Sequence, residues 1–166
     1  ARFKKRPTAA TQVAPVWDGT SLSGRSLLVY GEQGVGDEVM FASCVPELVQ
    51  QAARVVLACE PRLVPLFQRS FPAAMVCSID DLQRSGGRRR IGDIDFQIAA
   101  GSVPRYTRLT HEAFPHHNGY LQADETKVQQ LRERLDLLGP GTKIGISWKG
   151  GAIVEEQRRR STDLAD

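Results

Sequence analysis

Residues 26–49 read SLLVYGEQGVGDEVMFASCVPELV. The apolar run Leu27, Leu28, Val29 and Tyr30 breaks into a turn containing Gly31, Gly34 and Gly36, meets Asp37, and continues with helical spacing. A strand that passes into a helix through such a loop leaves backbone N–H groups at the positive end of the helix, which suits a phosphate or another anion. Asp37 adds a carboxylate at the mouth of that helix. It is placed to act as a base, and aspartate is equally common as a helix cap, so both roles stay open. The glycine spacing is G-x-x-G-x-G rather than the G-x-G-x-x-G of dinucleotide folds, and Glu60 alone supplies an acid at the ribose-binding distance. A dinucleotide site is therefore disfavoured. The expected fold is α/β, a doubly wound and mostly parallel sheet of Rossmann-like type.

Strand and helix patterns alternate outward from this stretch. The helix after the glycines carries Met40, Phe41, Cys44, Val45, Leu48, Val49 and Ala52 at core spacing, with Pro46 predicting a kink or restart. Residues 54–59 are nearly all apolar, as a strand covered on both faces requires. Pro61 opens a short helix with Leu63, Leu66 and Phe67 inward, 75–79 is a weaker strand, and a polar loop around Ser85-Gly86-Gly87 precedes a strand at 96–100. Residues 101–120 read as irregular and rich in His, Pro and aromatics. A helix then runs from Asp124 with Val128, Leu131, Leu135 and Leu138 on one face, closed by Gly139-Pro140. KIGISW at 143–148 reads as a strand running into Gly150 and Gly151. The expected sheet is parallel, with 26–30 central, 54–59 on one side and 96–100 on the other. The expected organisation is a linker over 1–16, a Rossmann-like domain over 17–139, and the start of a second domain over 140–166.

Of 166 residues, 41% are hydrophobic and 25% charged, ordinary values for a globular domain with a proper core. No apolar run reaches the roughly 18 residues of a membrane helix. The basic start ARFKKRPTAATQ lacks the apolar stretch of a secretory signal. Cys44, Cys59 and Cys77, spaced by 15 and 18 residues, match no metal motif and read as buried thiols of a reducing, cytoplasmic compartment. His111, His116 and His117 share one loop without nearby cysteine, so no metal site is expected. The net charge of +3 is concentrated in Arg2–Arg6, Arg84 with Arg88–Arg90, and Arg158–Arg160. Without interleaved aromatics or a nucleic-acid module, the first two clusters read as solvated surface, and nucleic acid is not an expected partner.

Trp17 and Gly19 as W-x-G, the strand–loop–helix LLVYGEQGVGDEVMFASCVPEL, the later GYLQAD, and KIGISWKGG followed by RRS together resemble one family. It is the glycosyltransferase-like domain found downstream of tetratricopeptide repeats in many bacterial proteins, related to the ADP-heptose:lipopolysaccharide heptosyltransferases of GT-B fold. The match runs in order from Trp17 to Ser161. The resemblance implies two Rossmann-like domains facing a cleft, with the acceptor on the first and the nucleotide sugar mainly on the second. In those enzymes a G-x-G-D loop supplies the general base, and here Gly34, Gly36 and Asp37 match it. Ser147, Lys149, Arg160 and Ser161 take positions comparable to groups approaching the donor diphosphate. The implied chemistry is deprotonation of an acceptor hydroxyl by a carboxylate while cations stabilise the departing diphosphate. The donor is a nucleotide sugar, the acceptor a glycan or protein, and no resident cofactor or metal is implied.

On this reading the chain ends about where the donor domain begins, with roughly 140 or more residues of that domain beyond it by ordinary domain sizes. The 166 residues alone are then not expected to catalyse transfer. The other class open to the chain is a non-catalytic Rossmann-like binding or interaction module in which Asp37 only caps its helix. The apolar segment at 143–148 is expected to pair with the sheet edge, or with the same segment of a second copy in a homo-oligomer.

Overall fold

The computed structural model describes residues 13–84, 86–116 and 119–147. Two compact units divide the chain, Ala1–Asp124 and Glu125–Asp166. The first is built on β1 (Ser26–Tyr30), β2 (Arg54–Cys59), β3 (Met75–Ser78) and β4 (Phe96–Ala99), ordered β3-β2-β1-β4 with every pairing parallel. Leu28 stands beside Val56 on one side and Gln97 on the other. The arrangement of β1, β2 and β4 follows the expectation.

Alternate residues of the strands feed two cores. Leu27, Val29, Val55, Leu57 and Ile98 pack on one face with Leu48, Leu63 and Phe67, while Leu28, Tyr30, Val56 and Ala58 pack on the other with Leu82 and Ile91. Burial on both faces explains why β1 and β2 lack polar alternation. The first face is covered by α1 (Val35–Phe41), α2 (Val45–Gln51) and α3 (Val64–Ser70). The second is covered by α4 (Ile79–Gln83) and α5 (Gly87–Ile91), two short helices where the sequence reads as a polar loop.

Pro46 acts as expected. It sits in the first turn of α2, where its missing N–H is harmless, and a 3₁₀ turn at Ala42–Cys44 separates α2 from α1. That turn resets the helical phase, because three residues per turn replace 3.6. The stripe therefore does not continue backwards through it: Cys44, Val45 and Leu48 are buried, but Met40 is 54% exposed and Glu38 takes the inward place.

Residues 13–16, at the end of the expected linker, lie along β4. Val16 forms a parallel bridge with Gln97, Trp17 N–H donates to the Gln97 carbonyl at 2.8 Å, and Gln97 N–H donates to the Pro15 carbonyl at 2.9 Å. The stretch after β4 is also more ordered than its composition predicts. It contains a 3₁₀ turn at Ala100–Ser102, α6 (Pro104–Thr107) and a 3₁₀ turn at His111–Ala113. Trp17 packs against Tyr106 with ring centroids 5.1 Å apart and planes tilted by 55°, and the Tyr120 hydroxyl donates to the Val39 carbonyl at 2.8 Å.

In the second unit, α7 (Glu125–Asp136) carries Val128, Leu131 and Leu135, with Leu138 in the turn that follows. Gly139 and Gly141 take φ of 83° and 112° around Pro140, a conformation that stops the helix. The expected strand at 143–148 is corrected: residues 143–147 form no strand, with Ile144 and Ile146 81% and 73% exposed. Alternating apolar residues make a strand only where a neighbour takes their N–H and C=O groups, and no strand neighbours them among the described residues. Trp148 and the rest of the expected second domain lie outside the described residues.

Candidate functional site

The chain leaves β1 toward β2 and β3, then returns to the other side of β1 for β4. In a parallel sheet this reversal opens a crevice at the carboxyl ends of the strands, where ligands of such folds sit. One wall is the loop from Gly31 to Gly34, and the other is the turn after β4. The two meet at Gly101, where a Cβ would stand 3.1 Å from the Phe41 ring and 3.4 Å from Glu32 Oε1.

Asp37 lies in the first turn of α1 and Gly34 is the N-cap. The Asp37 carboxylate accepts the Gly34 N–H at 3.3 Å, and Glu38 N–H donates to the Gly34 carbonyl at 3.0 Å. Sequence and structure thus agree on Asp37 at the helix mouth, half-exposed and facing the loop. The Gly34 N–H is already engaged by this carboxylate. Glu32 and Asp37 lie on or beside the loop, while Glu60 is paired with Arg62 at 2.7 Å and Glu38 is buried, so the mouth of α1 presents carboxylates rather than free cations to a ligand. It suits a hydroxyl-bearing ligand, which donates to carboxylates, better than the anion that the glycine spacing points to.

The loop glycines differ in what they require. None of Gly31, Gly34 and Gly36 has a positive φ. A Cβ on Gly31 would overlap the Glu38 carboxylate, one on Gly34 would be 3.8 Å from Asp37 Oδ2, and one on Gly36 would meet nothing. A side chain at Gly31 would displace the Glu38 carboxylate, whereas the two positions that match the family motif have room for a Cβ.

Glu38 is the site residue that the sequence reading misses. It is 7% exposed and accepts the Glu60 N–H at 2.9 Å, tying α1 to the end of β2. Burial pushes its carboxyl above the usual range, against the Glu60 N–H, which favours the ionised form. Burial, with Glu38 and other neighbouring groups, raises the adjacent Cys59 thiol to about 12, which keeps it neutral and unreactive. No local signal marks it, because the 3₁₀ turn at Ala42–Cys44 breaks the helical phase between Glu38 and the core residues Val45 and Leu48. The void beneath Glu38, lined by Gly31, Phe41, Cys59 and Phe67, is only about 10 Å³, room for no more than a water molecule.

A glutamine at 38 keeps an oxygen for the Glu60 N–H without the buried charge. Because the folded carboxyl titrates above its unfolded value, its contribution is favourable below the unfolded pKa and is lost as pH rises through the folded one. Glu38→Gln is accordingly expected to raise the melting temperature at pH 8 and to leave it unchanged near pH 4. A lower melting temperature at pH 8 would mean that the charge itself holds Glu60 in place.

Of the donor-side candidates, Ser147 is described and Lys149, Arg160 and Ser161 lie outside the described residues. Ser147 belongs to the second unit and Asp37 to the first. Among the described residues no cluster of three or more His, Cys, Asp or Glu could hold a metal, and no helix is long and apolar enough to cross a membrane. The three cysteines are unpaired.

No family model matches the chain, and no solved structure matches it. Protein FlbA of Caulobacter vibrioides is 36% identical over 154 residues, an alignment covering 87% of this chain and 26% of FlbA. The chain thus spans about a quarter of the length of the curated relative it resembles.

Proposed function

We propose that this chain is the acceptor-side domain of a bacterial glycosyltransferase of GT-B type, which transfers a sugar from a nucleotide sugar to a glycan or protein. The observation that carries the reading is Asp37, on the first turn of the helix after the central strand and at a crevice mouth that presents carboxylates. There it takes the proton of the attacking hydroxyl. Gly34 and Gly36 form the acceptor loop, and Ser147, Lys149, Arg160 and Ser161 serve the donor diphosphate from the second domain. The resemblance of GEQGVGD and GISWKGG, in order along the chain, to segments of the tetratricopeptide-associated family supports this reading. So does similarity to a relative more than three times as long, which leaves room for a donor domain.

The second reading, a non-catalytic module, is favoured by one specific contact: Asp37 accepts the N–H of its own helix cap. The test is to incubate the polypeptide carrying both domains with a panel of nucleotide sugars and to measure release of the nucleoside diphosphate. Release that depends on an added glycan or protein is the expected result. Absence of release with every donor, from protein shown to be folded, overturns the enzyme reading in favour of the module.

A further inference from the structure

We propose that Glu38 is a positioning residue for the acceptor side of the transfer. Its carboxylate, set between Gly31 and the Glu60 N–H, fixes the first turn of α1 and with it the place from which Asp37 meets the acceptor hydroxyl. The inference rests on the reading of Asp37 as the general base and concerns how that base is held.

Glu38 belongs to two connections at once. Its backbone N–H donates to the Gly34 carbonyl at 3.0 Å, and Gly34 gives its own N–H to Asp37 Oδ2 at 3.3 Å. Its side chain accepts the Glu60 N–H at 2.9 Å through Oε2. A chain of hydrogen bonds thus runs from Asp37 through Gly34 and Glu38 to the residue that follows β2. The sheet end is the firm partner in it, since Gly31 N–H donates to the carbonyl of the fully buried Ala58 at 2.8 Å.

Steric contact locates the carboxylate from its other side. A Cβ on Gly31 would overlap Glu38 Oε1, so the side chain lies directly on the first residue of the loop. With seven residues, α1 is too short to hold itself in place by helix propensity, and its tertiary ties decide where it stands. Tyr120 ties the helix through the Val39 carbonyl, and Glu38 ties its first turn to the sheet. Asp37 and Glu38 are successive residues, so any shift of that turn moves both. A displacement of about 1 Å at a reacting group can cost on the order of 10²-fold in rate. Burial pushes the Glu38 carboxyl up, a cost that packing alone does not require, because an apolar side chain would cover the core without it.

The test compares three variants. Glu38→Gln keeps an oxygen for the Glu60 N–H, Glu38→Ala removes it, and Gly31→Ala pushes the carboxylate away while leaving it in the chain. Gly31 has no positive φ, so alanine suits its backbone. In the polypeptide carrying both domains, turnover per folded molecule is expected to fall about tenfold or more in Glu38→Ala and in Gly31→Ala, with KM for the acceptor unchanged. Glu38→Gln should stay within about twofold of the parent, and Gly31→Ala should add little once Glu38 is alanine, because the space is then free.

A second readout needs no activity. In the 166-residue chain the Gly34 amide resonance should move as pH falls through the carboxylate range, because its N–H donates to Asp37. Glu38→Ala is expected to abolish that movement and Glu38→Gln to keep it, although neither variant alters Gly34 or Asp37. A merely structural Glu38 would lower the melting temperature of the alanine variant and leave both readouts as in the parent. The inference fails if the parent is active and the alanine variants match its turnover, or if the Gly34 amide responds alike in every variant. Should the parent be inactive with every donor, the enzyme reading falls separately, and the Gly34 amide still decides whether Glu38 places Asp37.

Discussion

Asp37→Asn, in a polypeptide that carries the donor domain, is expected to lower turnover by about 10²-fold or more, the contribution of a positioned general base. Asparagine retains an oxygen that can accept the Gly34 N–H, now at 3.3 Å from the carboxylate, so the helix start should survive and the melting temperature should hardly change. Asp37→Ala provides the contrast, because it removes both the base and the acceptor of the Gly34 N–H. It should cost the same activity and in addition up to about 1 kcal/mol of stability, the net worth of one hydrogen bond. Circular dichroism melts and initial rates measured on the same two variants separate these effects. Turnover of the asparagine variant within a few-fold of the parent would leave Asp37 as a helix cap and favour the module reading.

The second large effect is expected in stability rather than turnover. Arg108, whose side chain is 3% exposed, grips Glu47 of α2 with both terminal nitrogens, Nη2 to Oε1 at 2.6 Å and Nη1 to Oε2. The Glu47 carboxylate holds the Arg108 guanidinium firmly in its charged form, with its pKa above the ordinary value. Arg108 also lies 5.6 Å over the Phe114 ring, so this pair fastens the segment after β4 to the helix layer. Glu47→Ala strands a buried guanidinium and is expected to cost about 3 kcal/mol, the lower end of what an orphaned buried charge costs. For a domain of this size the melting temperature should fall by roughly 10 °C. Arg108→Met should cost much less, because Glu47 keeps 27% of its side-chain surface and can be hydrated. An unchanged melting temperature in Glu47→Ala would mean that the pair contributes nothing net and that contacts such as Trp17 with Tyr106 and Tyr120 with Val39 hold the segment.

Much of the fold is legible in local pattern. The continuous apolar runs of β1 and β2 require cover on both faces, and that requirement by itself specifies a parallel sheet wound with helices. Pro46 marks the restart of a helix because a proline removes a backbone donor wherever it sits. Asp37 is legible for the same kind of reason, since its role at the mouth of α1 depends on neighbours three residues away.

What the sequence does not determine is set by partners far along the chain. Glu38 reads as an ordinary surface acid of a helix, and only the approach of Gly31 and the Glu60 N–H makes it a buried tie. Glu47 and Arg108, 61 residues apart, carry no periodic mark of their pairing. Residues 143–147 have the alternation of a strand and form none, because pairing needs a neighbouring backbone that no local pattern supplies. Residues 13–16 look like linker and are held on β4, because Gln97 there offers a free edge. Periodicity and backbone chemistry act within a few residues and so are written in the sequence. Burial of charge, close approach to glycine and strand pairing depend on which distant groups arrive, and these the tertiary structure alone decides.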